Sequence, residues 1–229
     1  VALSGGLDSR LIATILARRT DAVAFTFGLP ESTEVALAGQ VSTMLGLEWR
    51  ATPMTANDFI AAVREGSKIA EGEDSIFQSW NLRVLPDVSD VSHLMFTGLA
   101  LDLTLGGSYL SGRNDDMCSR MLVKCTTIDP VLMRRLLPDF RESETQERFA
   151  RYFREVTSNT ANENASDHFA LVARVHRYIF QRQYWQRLIL EDATPTFDND
   201  LVDLMLKLPA AARAGHQIYS RVLAQLSPE

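Results

Sequence analysis

The sequence predicts an α/β fold, a doubly wound parallel sheet followed by a mainly helical C-terminal half. Strand-like and helix-like segments alternate over the first 100 residues, which is the pattern of repeated βαβ units. After residue 115 the hydrophobic pattern is helical almost throughout. We therefore expect an α/β core over residues 1–115 and a helical part of the same domain over residues 116–229.

The elements of the first half follow from hydrophobic patterning and from turn residues. Val1–Leu3 is predicted to be a short buried strand, and residues 21–28 form a second strand that ends at a glycine. Acidic residues after Pro30 start a helix, and Gly46 ends it. The other expected elements are helices over 9–18, 57–70 and 79–85, the last ending at Pro86, and strands over 47–53 and 91–98.

The second half is predicted to be mainly helical, with one polar connector. The helices are expected over 116–123, 130–137, 146–156 and 167–190, with an Asn-rich connector over 157–166. In the long helix, Val172, Val175 and Ile179 fall on one side, with arginines interspersed. The strands of the first half would end together at one edge of the sheet, where ligands bind in such folds.

The composition excludes several classes of protein. The 229 residues are 46% hydrophobic, but no apolar run is long enough to span a membrane and no signal-peptide pattern is present. The net charge of −6 argues against nucleic-acid binding. Cys118 and Cys125 lack the spacing of a zinc site or a disulfide framework, which favours a reducing, cytoplasmic setting. Since the chain opens in a core strand without an initiator Met, we expect a segment of a longer protein.

The most informative segment is Ser4-Gly5-Gly6-Leu7-Asp8-Ser9, directly after the first strand. A glycine-rich turn that leads into a helix presents backbone N–H groups and a positive helix end, which together bind phosphate. Ser4 and Ser9 add hydroxyl donors, and Asp8 adds a carboxylate ligand for magnesium. No Gly-Lys-Ser/Thr follows, which excludes a Walker P-loop. The alternative is an ordinary strand-turn-helix.

This segment resembles the PP-loop of ATP pyrophosphatases, enzymes that cleave ATP between the α- and β-phosphates. A second segment, Phe96 to Tyr109, contains a strand end followed by Gly-x₃-Asp-x₃-Gly-Gly and is similar to the second loop of the asparagine synthetase superfamily. Further stretches resemble other motifs of that family, namely Phe27–Pro30, Glu34, Val41–Gly46 and Glu191–Asp198. The chain is identified as a divergent member, resembling the C-terminal synthetase domain.

The resemblance implies an ATP site with Mg²⁺. The residues implied to bind the pyrophosphate are Ser4, Gly5, Gly6 and Ser9, and those near adenine or ribose are Leu3, Phe27, Thr97 and Gly98. Asp8 and Asp102 would bind Mg²⁺ and serve as catalytic residues. In the family's reaction a substrate carboxylate attacks the α-phosphate, pyrophosphate leaves, and an amine displaces AMP to form an amide.

The implied partners are a small-molecule or peptide carboxylate and a glutaminase domain, which would lie N-terminal in the full chain or in a partner protein. Leu99 stands where asparagine synthetases have glutamate, Ala100 replaces a glycine, Leu103 follows Asp102, and Ala193 replaces an arginine. The family's late lysine would lie beyond Glu229. Three alternatives remain: an amide-forming ligase, a β-lactam- or lasso-peptide-like cyclising synthetase, and a degenerate ATP-binding module.

Several other polar and aromatic residues are expected to be structural. His93 is predicted to be a packed strand residue, and His168, His176 and His216 lack a partner at useful spacing. The arginines of the long helix are expected to be solvated or paired, with the alternative that Arg182 or Arg187 contacts the pyrophosphate. Trp80, Trp185 and Tyr184 are expected to pack in the core or along a groove.

Overall fold

The computed structural model describes residues 1–71, 79–110, 117–125 and 129–226, without the side chains at 124, 125, 162, 178, 181, 182 and 184. The strands are β1 (Val23–Gly28), β2 (Glu48–Pro53), β3 (Leu94–Phe96) and β4 (Glu191–Ala193). The helices of the first half are α1 (Leu7–Ala17), α2 (Thr33–Leu45), α3 (Ala56–Ile69), α4 (Asn81–Ser89) and α5 (Leu101–Thr104).

The second half of the described chain is helical apart from β4. Its α-helices are α6 (Met117–Cys125), α7 (Pro130–Leu136), α8 (Glu142–Thr157), α9 (Ala165–Phe169), α10 (Gln181–Arg187), α11 (Asn199–Lys207), α12 (Ala210–Arg213) and α13 (Gln217–Leu226). A π-helix, Ala170–Ile179, joins α9 to α10. Within the described residues no helix has both the length and the apolar character needed to cross a membrane.

The strands form two parallel pairs, β1 with β2 and β3 with β4. The first three residues lie between these pairs. Leu3 donates to the Phe25 carbonyl at 2.8 Å, and Ala2 donates to the Phe96 carbonyl at 3.0 Å. The predicted first strand is reduced to a single bridge between Ala2 and Phe25. The predicted α/β class with parallel strands is therefore present, as two two-stranded sheets. A single doubly wound sheet stays a prediction.

Helix boundaries in the first half follow the expected capping chemistry. The Ser32 side chain accepts the Val35 N–H and caps α2, which ends at Gly46 in a left-handed conformation with φ 66°. Thr55 and Asp58 form a reciprocal capping box at the start of α3. Side chains that bond the ends of a helix carry local information, so these positions agree with the sequence prediction to within two residues.

The predicted end of the fourth helix at Pro86 is wrong, because α4 continues through Pro86 to Ser89. Val84, Leu85 and Val88 of this helix are buried in one hydrophobic cluster with Phe25 of β1. Tertiary packing therefore outweighs the loss of one backbone hydrogen bond at the proline. The sequence also missed β4 and the short α5, and it overestimated the length of β3, since elements of three or four residues have almost no periodicity.

The predicted long helix over residues 167–190 is a composite of α9, the π-helix and α10. Val175 is fully buried, as predicted, but Val172 is 39% exposed and Ile179 faces a cavity. Winding with i→i+5 hydrogen bonds takes more residues per turn than an α-helix, so a face assigned with α-helical spacing is wrong in this stretch.

Helices cover both faces of β1. Successive strand residues point to opposite faces, and Ala24 packs with Ala13 of α1 and Ala38 of α2, whereas Phe25 packs with Leu85 of α4 and Trp185 of α10. A separate cluster joins the two halves of the chain and contains Ala100, Leu103, Met121, Phe153 and Phe169. The helical half thus packs directly on the segment that carries α5.

Candidate active site

A cavity of about 420 Å³ opens where β1, β3 and the first three residues end. Most of the residues predicted to bind ATP or magnesium line it, namely Leu3, Ser4, Asp8, Ser9, Phe27, Thr97, Gly98 and Asp102. Gly5 and Gly6 belong to the same turn but do not line the cavity. Residues from opposite ends of the first hundred positions therefore meet at one place, as expected at the carboxyl ends of parallel strands.

The backbone of the glycine-rich turn is fixed by packing and by one arginine. Gly5 has φ +73°, and a Cβ there would lie 2.7 Å from the Leu37 Cβ of α2. Only glycine satisfies both the conformation and the close approach. The Arg10 guanidinium donates to the Gly5 carbonyl at 2.7 Å. The first turn of α1 follows without a side-chain cap, with Gly6 as its N-cap residue.

Two serine hydroxyls join the first and last residues of this turn by hydrogen bonds. The Oγ atoms of Ser4 and Ser9 are 3.0 Å apart, and Ser9 Oγ also accepts the Ser4 N–H at 3.1 Å. Gly6 N–H points to Ser4 Oγ at 3.4 Å. The hydroxyls, backbone amides and helix end are thus arranged before any ligand binds, which lowers the entropic cost of binding an anion.

Asp8 and Asp102 lie side by side. Both line the cavity, and Gly98 fits so closely that a Cβ there would lie 2.8 Å from the carbonyl carbon of Asp8. The Ser108 hydroxyl donates to Asp102 Oδ2 at 2.7 Å and orients that carboxylate. Burial raises the pKa of Asp8, and the charge of Asp102 raises it further. The two carboxylates repel each other in a partly desolvated site.

Tyr219 of α13 is a site residue that sequence reasoning missed. Its hydroxyl donates to Asp8 Oδ1 at 2.6 Å, and the side chain is fully buried. Burial and the bond to Asp8 raise the pKa of Tyr219 far above its usual value, so the phenol remains a donor. The partner lies 211 positions away in sequence, and no local pattern marks a tyrosine on an apolar helix face as an aspartate's partner.

The two carboxylates fit a magnesium ion. Within the described residues, no group of three or more His, Cys, Asp or Glu side chains is placed to hold a metal by itself. Magnesium, however, binds through one or two carboxylates together with phosphate oxygens and water. Asp8 and Asp102 both line the cavity, and the mutual repulsion that helps raise the pKa of Asp8 is what a cation between them would relieve.

The residues that line the cavity fall into two groups, the loop end and the helical end, whose aromatic and aliphatic members pack on different hydrophobic clusters. The loop end is formed by the Ser4–Ser9 turn together with Phe27 and Trp80, whose ring centroids lie 4.3 Å apart. The helical end is formed by Leu99, Tyr109, Arg174 and Ile179. Phe27 and Trp80 pack on the cluster beneath β1, whereas Leu99, Tyr109 and Ile179 pack on the cluster shared by the two halves of the chain. Trp80 packs along a groove, as expected.

A fully buried ion pair supports the helical end. Arg213 donates to Asp167 Oδ2 at 2.7 Å, to the Leu103 carbonyl at 3.2 Å and to Asn164 Oδ1. Asp167 Oδ1 accepts the backbone N–H of Tyr109 at 3.1 Å. The pair therefore ties α12 and α9 to α5, which carries Asp102, and to the residue that lines the cavity next to Arg174. Its members lie 46 positions apart, so no local sequence pattern could have identified the pair.

Two buried amide side chains also face the cavity with unpaired oxygens. Asn81 and Gln183 are each 2% exposed, and neither amide oxygen has a hydrogen-bond partner among the residues that the structure describes. The amide nitrogen of Gln183 donates to Thr194 Oγ1 at 2.6 Å, and Thr194 Oγ1 lies 3.2 Å from Thr97 Oγ1. Unpaired acceptors in a buried wall are costly unless a ligand supplies donors. Their presence indicates a site for a ligand with N–H or O–H groups.

The departures from the family pattern have different structural consequences. Ala100 has φ 60°, the left-handed conformation that explains the family's glycine, and its side chain is buried in the cluster shared by the two halves. Leu99 lines the cavity at the helical end. Ala193 lies in β4, where its carbonyl accepts the Thr97 N–H at 3.0 Å, so the replacement leaves the backbone pairing in place.

Of the two arginines considered for the pyrophosphate, Arg187 is exposed and does not line the cavity. The side chains of Arg182, Tyr184 and Cys125 lie outside the described part of the chain. Arg174 of the π-helix lines the cavity instead. Residues nine positions apart in an α-helix are separated by about two and a half turns, so α-helical spacing would place Arg174 and Gln183 on opposite sides. The π-helix changes this, and both face the cavity.

Comparison with known proteins agrees with this geometry. A search of curated proteins finds no match to the chain. The family model described as asparagine synthase matches residues 1–226, which includes the glycine-rich turn, both aspartates and the helical half. Membership supports an ATP-dependent amide ligase in general terms. A match over nearly the full length, with the matched loops meeting at one cavity, shows that the chain belongs to the asparagine synthase family.

Proposed function

We propose that the protein is an AMP-forming, ATP-dependent carbon–nitrogen ligase that adenylates a substrate carboxylate for attack by an amine or ammonia. The observation that carries the proposal is the meeting of the serine-glycine turn and the Asp8–Asp102 pair in one cavity. A turn with free anion-binding capacity next to two carboxylates suits a nucleotide whose phosphates are bridged by magnesium.

The nucleotide is assigned to the loop end. Its base would lie against the half-buried Trp80 ring beside Phe27, with the buried Asn81 oxygen able to accept from an amino group. The phosphates would contact the hydroxyls of Ser4 and Ser9 and the start of α1. This orientation directs the α-phosphate toward Asp8 and Asp102 and leaves the helical end for the carboxylate substrate.

Asp8 and Asp102 would hold Mg²⁺, which when bound neutralises charge on the phosphate oxygens. The protein's own contribution is orientation. Tyr219 and Ser108 fix the two carboxylates, and the Gly98 backbone holds Asp8 in place. Positioned groups of this kind lower the barrier by holding the attacking carboxylate oxygen in line with the departing pyrophosphate. A subsequent amine attack on the acyl-adenylate releases AMP and forms the amide.

Several finer statements belong to the same proposal. One doubly wound sheet would be completed if the first three residues, which bond both β1 and β3, count as its central strand. The division at residues 115 and 116, a cytoplasmic location, and a glutaminase domain as the nitrogen source are proposed with it. Because Leu99 cannot replace a glutamate, we expect aspartate to be a poor substrate compared with a bulkier or more apolar carboxylate, and cyclisation within one substrate is the alternative.

The test is product analysis on the intact protein with Mg²⁺-ATP, a panel of carboxylates, and either ammonia or hydroxylamine as the amine. We expect AMP and pyrophosphate, and loss of at least about a hundredfold in rate for Asp8→Asn or Asp102→Asn. Formation of ADP and phosphate would overturn the reaction assignment. Magnesium-dependent ATP binding by calorimetry without product for any acid would favour the ATP-binding module over the ligase.

A further inference from the structure

One oxygen of each carboxylate in the Asp8–Asp102 pair accepts a hydrogen bond from a hydroxyl group. The Tyr219 hydroxyl donates to Asp8 Oδ1 at 2.6 Å, and the Ser108 hydroxyl donates to Asp102 Oδ2 at 2.7 Å. Hydrogen bonds from a hydroxyl to an ionised carboxylate are short and comparatively strong, and both distances are of this kind. The two carboxylates therefore share one arrangement, in which a single oxygen is bonded within the protein.

The Tyr219 hydroxyl is held in place by the packing of its ring. The fully buried side chain lies in a hydrophobic cluster with Leu11 of α1 and Leu101 of α5. Helix α1 carries Asp8 and α5 carries Asp102, so the ring packs against both helices that bear the carboxylates. The ring cannot turn away from Asp8 without opening this cluster, which is costly in a close-packed interior.

The Ser108 hydroxyl is positioned by a loop that folds back on Asp102. A Cβ at Gly106 would lie 2.6 Å from the Asp102 carbonyl oxygen and 2.5 Å from His216 Nδ1. Gly107 has φ +60°, a backbone conformation that disfavours any side chain. The loop therefore depends on glycine at both positions, and Ser108 follows directly with its hydroxyl on the carboxylate.

The hydroxyl groups of Tyr219 and Ser108 are neutral, so each occupies a carboxylate oxygen without cancelling the charge. A lysine or arginine in either place would form an ion pair and compete with a metal cation. With hydroxyl donors, the negative charge of the pair stays available to a cation, which meets the remaining oxygen of each carboxylate. Both aspartates line the cavity, where phosphate oxygens and water would supply the other ligands of a metal ion.

Calcium and magnesium make different demands on a pair of carboxylates. Calcium takes many oxygen ligands in a flexible geometry and can use both oxygens of one carboxylate. Magnesium requires near-ideal octahedral geometry, uses few carboxylates and keeps several water molecules. A carboxylate that is fixed in orientation, with one oxygen bonded to a hydroxyl, favours binding of a cation through the other oxygen alone. This arrangement suits the smaller ion.

We infer that Tyr219 and Ser108 are positioning residues that limit each carboxylate of the pair to one metal-binding oxygen, and that they thereby make the site select Mg²⁺ over Ca²⁺. This inference rests on the proposed function, which supplies the metal–nucleotide complex. It assigns the choice of metal to two side chains that act through the aspartates and do not bind the metal themselves.

The test measures nucleotide binding with each cation in turn. Calorimetry on the intact protein gives the dissociation constant of α,β-methylene-ATP with saturating Mg²⁺ and with saturating Ca²⁺. For the unsubstituted protein we expect roughly tenfold tighter binding or more with Mg²⁺. Tyr219→Phe and Ser108→Ala should each reduce this preference by about threefold or more, because the freed oxygen lets calcium use both oxygens of one carboxylate.

Tyr152→Phe is the matched control. The Tyr152 hydroxyl is buried and has no hydrogen-bond partner within the described residues, and its ring packs on Phe169 in the cluster shared by the two halves. Its replacement removes the same atom from a tyrosine away from the carboxylates, so the preference for Mg²⁺ should stay unchanged. Circular dichroism checks that each variant folds, and Ser108→Ala decides the case if Tyr219→Phe does not fold.

Equal binding with the two cations by the unsubstituted protein overturns the inference. An unchanged preference in the folded variants also overturns it, and this includes variants that bind the nucleotide more weakly by the same factor with both cations, since that result shows a purely structural role. Failure of the proposed function has a separate signature, which is no metal-dependent nucleotide binding by the unsubstituted protein with either cation, and it overturns both.

Discussion

The two ends of the cavity are held in place by different kinds of interaction. The loop end depends on backbone geometry, because Gly5 packs on Leu37 and Gly98 packs on Asp8 with no room for a side chain. The helical end depends on side chains from distant elements, with Arg174 oriented by Tyr109, whose own backbone is held by Asp167. The loop end should keep its shape when surface side chains change, because its shape is set by the backbone. The ligand preference of the helical end can change through a few substitutions, because it is set by side chains.

The largest expected effect comes from breaking the ion pair behind the helical end. Arg213→Leu would leave the buried Asp167 carboxylate without its partner, and we expect a loss of about 3–5 kcal/mol in the free energy of unfolding. Both side chains are fully buried, so solvent cannot replace the guanidinium. Urea denaturation followed by circular dichroism measures the change.

The double variant Arg213→Met with Asp167→Leu separates stability from positioning. It removes both charges, and replacement of a buried pair by apolar residues is often neutral or stabilising. We expect most of the lost stability to return while Tyr109 and α5 lose their tethers, so that acid binding at the helical end weakens and nucleotide binding changes less. Full recovery of both would show that the pair does not position the helical end.

Gly98→Ala tests the loop end, with a smaller effect on folding. The new Cβ would lie within 3 Å of the Asp8 backbone, which must shift. Overpacking of this kind costs about 1–3 kcal/mol, and displacement of Asp8 should weaken magnesium-dependent ATP binding in calorimetry. Gly46→Ala is the control, because it strains a left-handed position, with φ 66°, but has open space around the new Cβ and lies at the far end of α2. Equal loss of ATP affinity in both variants would contradict the assignment.

Asp8→Asn should stabilise the protein while it impairs function. Burial raises the pKa of Asp8, so the ionised carboxylate disfavours the folded state at neutral pH. Removal of that charge is expected to raise the free energy of unfolding by up to about 1 kcal/mol. The raised folded-state pKa means that the folded protein binds the extra proton first. The advantage of the variant should therefore shrink as pH falls from 7 toward 4.

The control for this pH dependence is Asp58→Asn. The Asp58 side chain is 28% exposed. Hydrogen bonds from Thr55 lower its pKa, so its contribution to stability is present at neutral pH and is lost on acidification. The two variants should thus change stability in opposite directions at pH 7. Urea midpoints of both variants and the parent, measured between pH 7 and pH 4, test this expectation. The burial argument would be contradicted if the stability difference between Asp8→Asn and the parent grew as pH fell.

Most residues of the loop end could be selected from the sequence because their information is local, and their binding of ATP and Mg²⁺ stays a prediction. Ser4, Gly5, Asp8 and Ser9 are nearly consecutive, and the glycines, hydroxyls and carboxylate of a phosphate-binding turn are all visible in one short stretch. Gly98 and Asp102 could be added because their spacing matches a second family motif. The same locality explains why Gly46 could be predicted as the end of α2.

The helical end could not be predicted for a physical reason. Tyr109, Asp167, Arg174 and Arg213 contact one another over tens of positions in sequence, and none carries a local pattern that marks it as part of a site. The π-helix adds to the difficulty, because its winding differs from the α-helical spacing with which the long helix was predicted. Helices α1–α4 and α6–α8 could be predicted, whereas the winding of the π-helix places residues in the cavity that no sequence pattern identified.

The smallest expected effect is at Ala100, between the two ends. Restoring the family's glycine with Ala100→Gly relieves a left-handed conformation that costs alanine about 1 kcal/mol but removes a buried methyl worth about 0.8 kcal/mol. We expect the free energy of unfolding to change by less than about 0.5 kcal/mol. Ala13→Gly, at a buried position inside α1, lacks the relief and should cost about 1–2 kcal/mol. If the two variants lose equal stability in urea, the left-handed strain at Ala100 is negligible, and the alanine is there for its packing against the helical half alone.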